Sequence, residues 1–181
     1  MPTYIALLRA VNVAGHGILP MADLRACFVK AGFANAQTLL QTGNVVFSGA
    51  KKAPASLERL LEAETAKRLG LTTHFMVRTA PEWKSLVAAN PFPDMATDDP
   101  AHLLVMFLKD VADPKKVKAL QAAITGRELV RAKGKQAYVT FPDGAGRSLL
   151  TNAKLERALG TSSTGRNWNT VLKIAGLAAS A

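Results

Sequence analysis

Apolar positions along the chain fall into short runs and into stripes spaced three and four residues apart, and the two alternate in a repeating order. Tyr4 to Val13 predicts a strand, followed by a loop at Gly15-His16-Gly17 and Pro20. Met21 to Ala31 predicts a helix with Leu24, Cys27, Phe28 and Ala31 as its buried stripe, stopped by Gly32. Leu39 to Thr42 and Val45 to Ser48 predict a hairpin about Gly43-Asn44, a pair suited to a tight primed turn. Pro54 to Leu69 predicts a second helix ended by Gly70, and His74 to Arg78 a closing strand. Strand, helix, strand, strand, helix, strand is the order of a ferredoxin-like unit.

The rest of the chain repeats that order. Thr79-Ala80-Pro81-Glu82 is a capping box that opens a helix through Trp83, Leu86 and Val87. Asn90 to Pro100, rich in proline and aspartate, reads as a linker. Leu103 to Leu108 is a near-continuous apolar run, expected of a strand buried on both faces. Asp113-Pro114 predicts the cap and first turn of a helix carrying Val117, Leu120 and Ile124 inward. Leu129 to Arg131 and Ala137 to Phe141 predict a strand pair, Leu149 to Leu159 a helix closed by Gly160, and Thr161 to Thr164 a weak last strand. The expectation is therefore α+β, two ferredoxin-like (βαββαβ) halves in tandem with an extra C-terminal helix. Its divisions are 1–80, a helix and proline-rich linker at 81–100, a second half at 101–165, and a docking helix at 166–181.

That last helix, taken from Thr164, would bury Trp168, Val171, Leu172 and Ala175 and present Arg166, Asn169, Thr170 and Lys173 on its other face. Arg166 would then sit at the positive end of the helix dipole, which calls for an anion nearby.

Charge sharpens the picture. Residues 1–108 hold 10 Lys+Arg and 8 Asp+Glu, a net of +2, whereas residues 109–181 hold 13 and 5, a net of +8. Such asymmetry points to nucleic acid, nucleotide or another polyanion as partner, against the alternative of solubility alone. One cysteine excludes an intramolecular disulfide and a cysteine metal cluster. No apolar run is long enough to span a membrane, and Arg9 interrupts the N-terminal one, so a cytoplasmic protein without membrane partner is expected.

Arg9 inside an apolar strand needs a pairing or a cleft, and Gly15 and Gly17 would let backbone N–H groups approach an anion. The Gly-Lys-Ser/Thr ending of a phosphate loop is missing. Ala137-Tyr138-Val139-Thr140-Phe141 matches only the end of an RNA-recognition strand signature, with Gln136 and Lys135 in place of its aromatic and glycine. His16, His74 and His102 show no metal-ligand spacing, and Cys27 belongs to a buried stripe. Asp94, Asp98 and Asp99 keep the linker solvated, with a divalent cation as the alternative. No metal, cofactor or catalytic residue is assigned.

Several segments together resemble a known family: Leu7-Leu8-Arg9-Ala10-Val11-Asn12-Val13, Met21-Ala22-Asp23-Leu24-Arg25, Gln41-Thr42-Gly43-Asn44-Val45-Val46-Phe47, Asn90-Pro91-Phe92 and Thr164-Gly165-Arg166-Asn167-Trp168-Asn169-Thr170. The chain is similar, along its whole length, to a bacterial family of small proteins catalogued as domain of unknown function 1697. The resemblance implies an α+β fold with ferredoxin-like subdomains and no particular activity. It departs at Ala10, where glycine is usual, and at His16, where lysine is common. The family's polar positions map onto Arg9, Asn12, Asn44, Arg166, Asn167 and Asn169. The leading expectation is that some of these line a cleft, between Arg9 and Arg166, for a small anionic ligand, a nucleotide or nucleic-acid phosphate. The alternatives are an enzyme acting on a phosphorylated or carboxylated metabolite, and an interaction protein whose Trp168 helix docks within a dimer.

Overall fold

The computed structural model describes residues 1–9 and 18–181, so the expected Asn12 and His16 lie outside the described residues. The chain is mixed α+β, with seven α-helices and two four-stranded antiparallel sheets among those residues. It divides into two compact units, one of residues 1–85 with 173–181 and one of residues 86–172. No described helix is long and apolar enough to cross a membrane.

The first unit runs β1 (Thr3–Leu8), α1 (Met21–Lys30), β2 (Ala34–Leu39), β3 (Asn44–Ser48), α2 (Pro54–Leu69) and β4 (Phe75–Thr79). Helix α3 (Ala80–Ala88) follows, and the boundary between the units falls within it. The sheet order is β2-β3-β1-β4. Tyr4, Ala6 and Leu8 alternate onto the face that carries α1 and α2, where Phe28, Phe33, Phe47 and Phe75 pack mainly edge to face. Ile5, Leu7, Val46 and Met76 on the opposite face are buried too, which is why these strands read as apolar runs without alternation.

The predicted β2–β3 hairpin is displaced. The loop is Leu40–Gly43, with both of these residues at positive φ, and Asn44 is already in the central strand opposite Leu7. Two local signals nearby are realised as read. Gly70 closes α2 in the left-handed conformation. The Thr79 N–H donates to Glu82 Oε2 at 2.7 Å while the Glu82 N–H donates to Thr79 Oγ1 at 3.2 Å.

The second unit contains α4 (Pro93–Asp98), inside the expected linker, then β5 (Leu103–Leu108), α5 (Pro114–Ala123), β6 (Leu129–Lys133), β7 (Gln136–Thr140), α6 (Asn152–Leu159) and β8 (Ser163–Asn167). Its sheet order is β6-β7-β5-β8. Asp113 caps α5 by accepting from the Lys115 N–H at 2.9 Å. Helix α6 starts three residues later than predicted because Thr151 caps it, accepting from the Lys154 N–H.

Three of the four edge strands, β4, β6 and β8, are protected in one way. On β4, the Phe75 and Val77 N–H groups donate to Glu62 and Glu58 of α2 at 3.0 and 2.9 Å. On β8, the Ser163 N–H donates to Glu156 of α6 at 2.9 Å. On β6, the Val130 N–H donates to Gln121 of α5 at 2.7 Å. Free backbone donors on an edge strand invite another chain, and side chains from the covering helices occupy them here.

Tyr138 of β7 is buried, and its hydroxyl donates to the Leu86 carbonyl at 2.5 Å. Burial pushes its pKa up to about 12. An unfolded tyrosine ionises near 10. The folded value is the higher, so the stabilisation is complete below pH 10 and is lost as pH rises from 10 to 12. Tyr138→Phe is expected to cost about 1 kcal/mol at neutral pH and to flatten denaturant midpoints across that alkaline window. A variant whose midpoint falls as steeply as that of the parent contradicts this account.

Candidate functional site

The residues expected to form a site fall into the two units separately. Arg9 directly follows β1, half-buried; its N–H donates to the His74 carbonyl at 3.0 Å and its own carbonyl accepts from Thr73 Oγ1 at 2.8 Å. Asn44 lies near it at the same end of the first sheet, opposite Leu7. Its buried side-chain amide donates to the Leu39 carbonyl at 2.8 Å and to Thr42 Oγ1 at 2.9 Å, so it braces the β2–β3 loop.

Arg166, Asn167 and Asn169 belong to the second unit. Arg166 is in β8, opposite Val105, and not at a helix start as expected. The helix α7 (Trp168–Ala179) begins two residues later, where Asn167 Oδ1 accepts from the Thr170 N–H at 3.0 Å. The Arg166 guanidinium is buried and donates to Thr164 Oγ1 at 2.7 Å and to the Gly165 carbonyl at 2.8 Å. Burial pulls its pKa down to about 10. Asn169 is exposed, whereas Trp168, Thr170, Val171, Ile174 and Ala178 of α7 are buried, Thr170 against the expectation that it lies on the polar face. Leu172, expected inside, is 45% exposed, because the buried apolar face runs through Trp168, Val171, Ile174 and Ala178, to one side of it. Trp168, expected in a dimer groove by one reading, is buried within the single chain.

A different set converges into an open cavity of about 610 Å³ in the second unit. Its walls are His102, Pro142, Asp143, Gly144, Gly146 and Arg147. Pairing of β5 with β7 brings the two segments together, since the Phe141 N–H donates to the His102 carbonyl at 2.8 Å. His102 Nδ1 lies 2.7 Å from Asp99 Oδ2. With that proton directed at the carboxylate, Nε2 is the accepting nitrogen of the neutral ring. It sits beside Gly144, where a Cβ would come within 3.8 Å of it. The Asp143 carboxylate is held by the two-armed guanidinium of Arg127, whose hydrogen bond keeps its pKa below the usual carboxylate value. Arg147 lines the same cavity, and its charge also acts on Asp143. An orienting carboxylate, an imidazole and a guanidinium around a glycine-bearing loop can hold an oxyanion and move a proton.

The family model described as "Protein of unknown function (DUF1697)" matches residues 1–138. The chain belongs to this family. The match ends within β7, so the Asp143–Arg147 wall of the cavity and the Arg166–Asn169 segment of this DUF1697 protein lie beyond it. Among solved structures, the conserved bacterial protein SP0830 from Streptococcus pneumoniae is similar with a TM-score of 0.76 at 20% identity, over 98% of both chains. That likeness is one of fold. No curated protein matches the sequence.

Two groups of this DUF1697 protein escaped the sequence reading. Arg78 of β4 lies opposite Ile5 as Arg166 lies opposite Val105, and its guanidinium donates to the preceding carbonyl, of Val77, at 2.8 Å. Burial lowers its pKa also, against the pull of Glu58. The 78/166 correspondence was legible only through the repeated element order. Asp99 was read as linker solvation, with a divalent cation as the alternative, and His102 as a histidine without metal-ligand spacing, so their pairing was missed. Its signal was the three-residue spacing just before β5, which by itself is common. Cys27 is buried, with its thiol pKa raised chiefly by that burial, as an inert core thiol should be.

Proposed function

We propose that this protein binds a small anionic ligand, a phosphate or carboxylate compound, in the His102–Arg147 cavity of its second unit. The observation that carries the reading is the presence of a guanidinium and an Asp-paired imidazole among the residues that line one cavity. The Arg147 guanidinium offers directional hydrogen bonds to oxyanions, and the imidazolium form of His102 adds a donor at Nε2. The reading of both halves as ferredoxin-like units is supported by the element order and by the matching strand orders β2-β3-β1-β4 and β6-β7-β5-β8.

Titration with inorganic phosphate and with a nucleoside monophosphate, followed by NMR of the histidine rings and arginine side chains, tests the proposal. Saturable shifts at His102 and Arg147 are expected, together with affinity at least about tenfold weaker in Arg147→Ala, the loss of one charge-assisted contact worth some 1.5 kcal/mol. The cleft first expected between Arg9 and Arg166 makes the opposite prediction. Binding abolished by Arg9→Ala and untouched by Arg147→Ala would move the site there.

A specific observation also favours the enzyme reading. The Asp99–His102 pair supplies the general base that the sequence did not name, with Arg147 placed to stabilise developing negative charge. Turnover of a phosphorylated or carboxylated substrate that is abolished by His102→Gln, while phosphate still binds, is the result that distinguishes an enzyme from a binding protein.

A further inference from the structure

We infer that the groove between α5 and β6 docks an acidic amphipathic helix of a partner protein. The groove encloses about 720 Å³ and is separate from the His102 cavity, sharing no lining residue with it. Its apolar surface comes from Ala112, Val117, Val130 and Ala132, with Val111 67% exposed at its mouth. Lys118 of α5 and Arg131 and Lys133 of β6 stand on its rim, and no carboxylate is among its lining residues. Apolar surface framed by one sign of charge selects a partner apolar on one face and acidic on the other.

The geometry of β6 decides what form that partner takes. As the outer strand of its sheet, β6 would ordinarily invite an added strand. Its outward groups at Glu128 and Val130 are already taken. Gln121 accepts from the Val130 N–H at 2.7 Å and donates to the Glu128 carbonyl at 3.2 Å, while Arg131 donates to the Val130 carbonyl at 2.9 Å. An incoming strand would have to break these bonds, whereas a helix arrives with its backbone already satisfied. The ten residues of α5 span about 15 Å, room for about three turns of a helix beside it. A second copy of this chain, at net charge +10, is repelled by the same rim. A nucleic acid would meet the cations but find no aromatic side chain lining the groove for its bases.

The probe is a synthetic peptide of roughly 20 residues, long enough for several helical turns, with leucines on one face and glutamates on the other. Its control is a peptide of the same composition shuffled to abolish the face. Saturable shifts of the Val111, Val117 and Val130 methyl signals are expected with the first peptide, and clearly weaker binding with the second. Lys118 and Lys133 are exposed, so Lys118→Glu with Lys133→Glu leaves the fold intact and should weaken the amphipathic peptide by about tenfold or more, from two rim charges reversed. Equal affinity for the shuffled peptide, shifts at other residues, affinity unchanged in the double variant, or dimers of this chain that the double variant dissociates would each overturn the proposal.

Discussion

Glu58→Ala should be among the most damaging single substitutions in the first unit, costing on the order of 3–5 kcal/mol, the range for breaking a buried ion pair from one side. Glu58 is a charged residue buried on α2, and its Oε1 faces two groups of β4. It accepts from the Val77 N–H at 2.9 Å and lies 3.9 Å from the Arg78 guanidinium, which is itself buried. Alanine takes away the acceptor for an edge-strand amide and the carboxylate beside a desolvated cation in one step. Urea denaturation followed by a far-UV signal should show the midpoint falling. Hydrogen exchange should show the Val77 amide losing protection first. Glu58→Gln keeps an oxygen for Val77 but removes the charge, so it should fall between the parent and alanine. A glutamine variant as damaged as the alanine one would mean that charge alone matters and that the edge-capping role is wrong.

How far the fold was legible follows from the range of the forces that set each element. Helix α2 was predicted to the residue because Pro54, the apolar stripe and Gly70 act within a few positions of one another. The Thr79–Glu82 box and the Asp113 cap were legible for the same reason. Strand β8 was not. Ser163-Thr164-Gly165-Arg166-Asn167 carries no apolar alternation, and its strand form comes from pairing with β5, more than fifty residues earlier in the chain. Once that pairing is lost from view, the polar run looks like the opening of the helix that follows. The His102 cavity was hidden for a related reason. Asp99 and His102 are neighbours in sequence, but Gly144 and Arg147 reach them only because β7 pairs with β5 and delivers the loop. Nor does motif show that Asn44 and Asn167 bond to their own local backbone, bracing a loop and a helix start.

Gly43→Val tests that last point, because it separates bracing from binding in the Gln41-Thr42-Gly43-Asn44 segment. Gly43 has φ +79°, a region that β-branched side chains avoid, and a Cβ there would lie 2.9 Å from the Leu8 Cβ. The contact is with the root of the Leu8 side chain, which no rotamer change can move away. The Leu8 N–H also donates to the Gly43 carbonyl at 2.9 Å, so a shift of the loop pulls on the end of β1. Left-handed strain and overpacking together should cost about 3 kcal/mol, lowering the thermal midpoint by on the order of 10 °C. Gly43→Ala carries the same first atom and should lose most of that amount. Phosphate binding at the His102 cavity, measured below the lowered midpoint, should stay at the parental affinity, since none of the cavity residues belongs to this unit. A valine variant that keeps its midpoint but loses phosphate binding would reverse both assignments and return the segment to the ligand site.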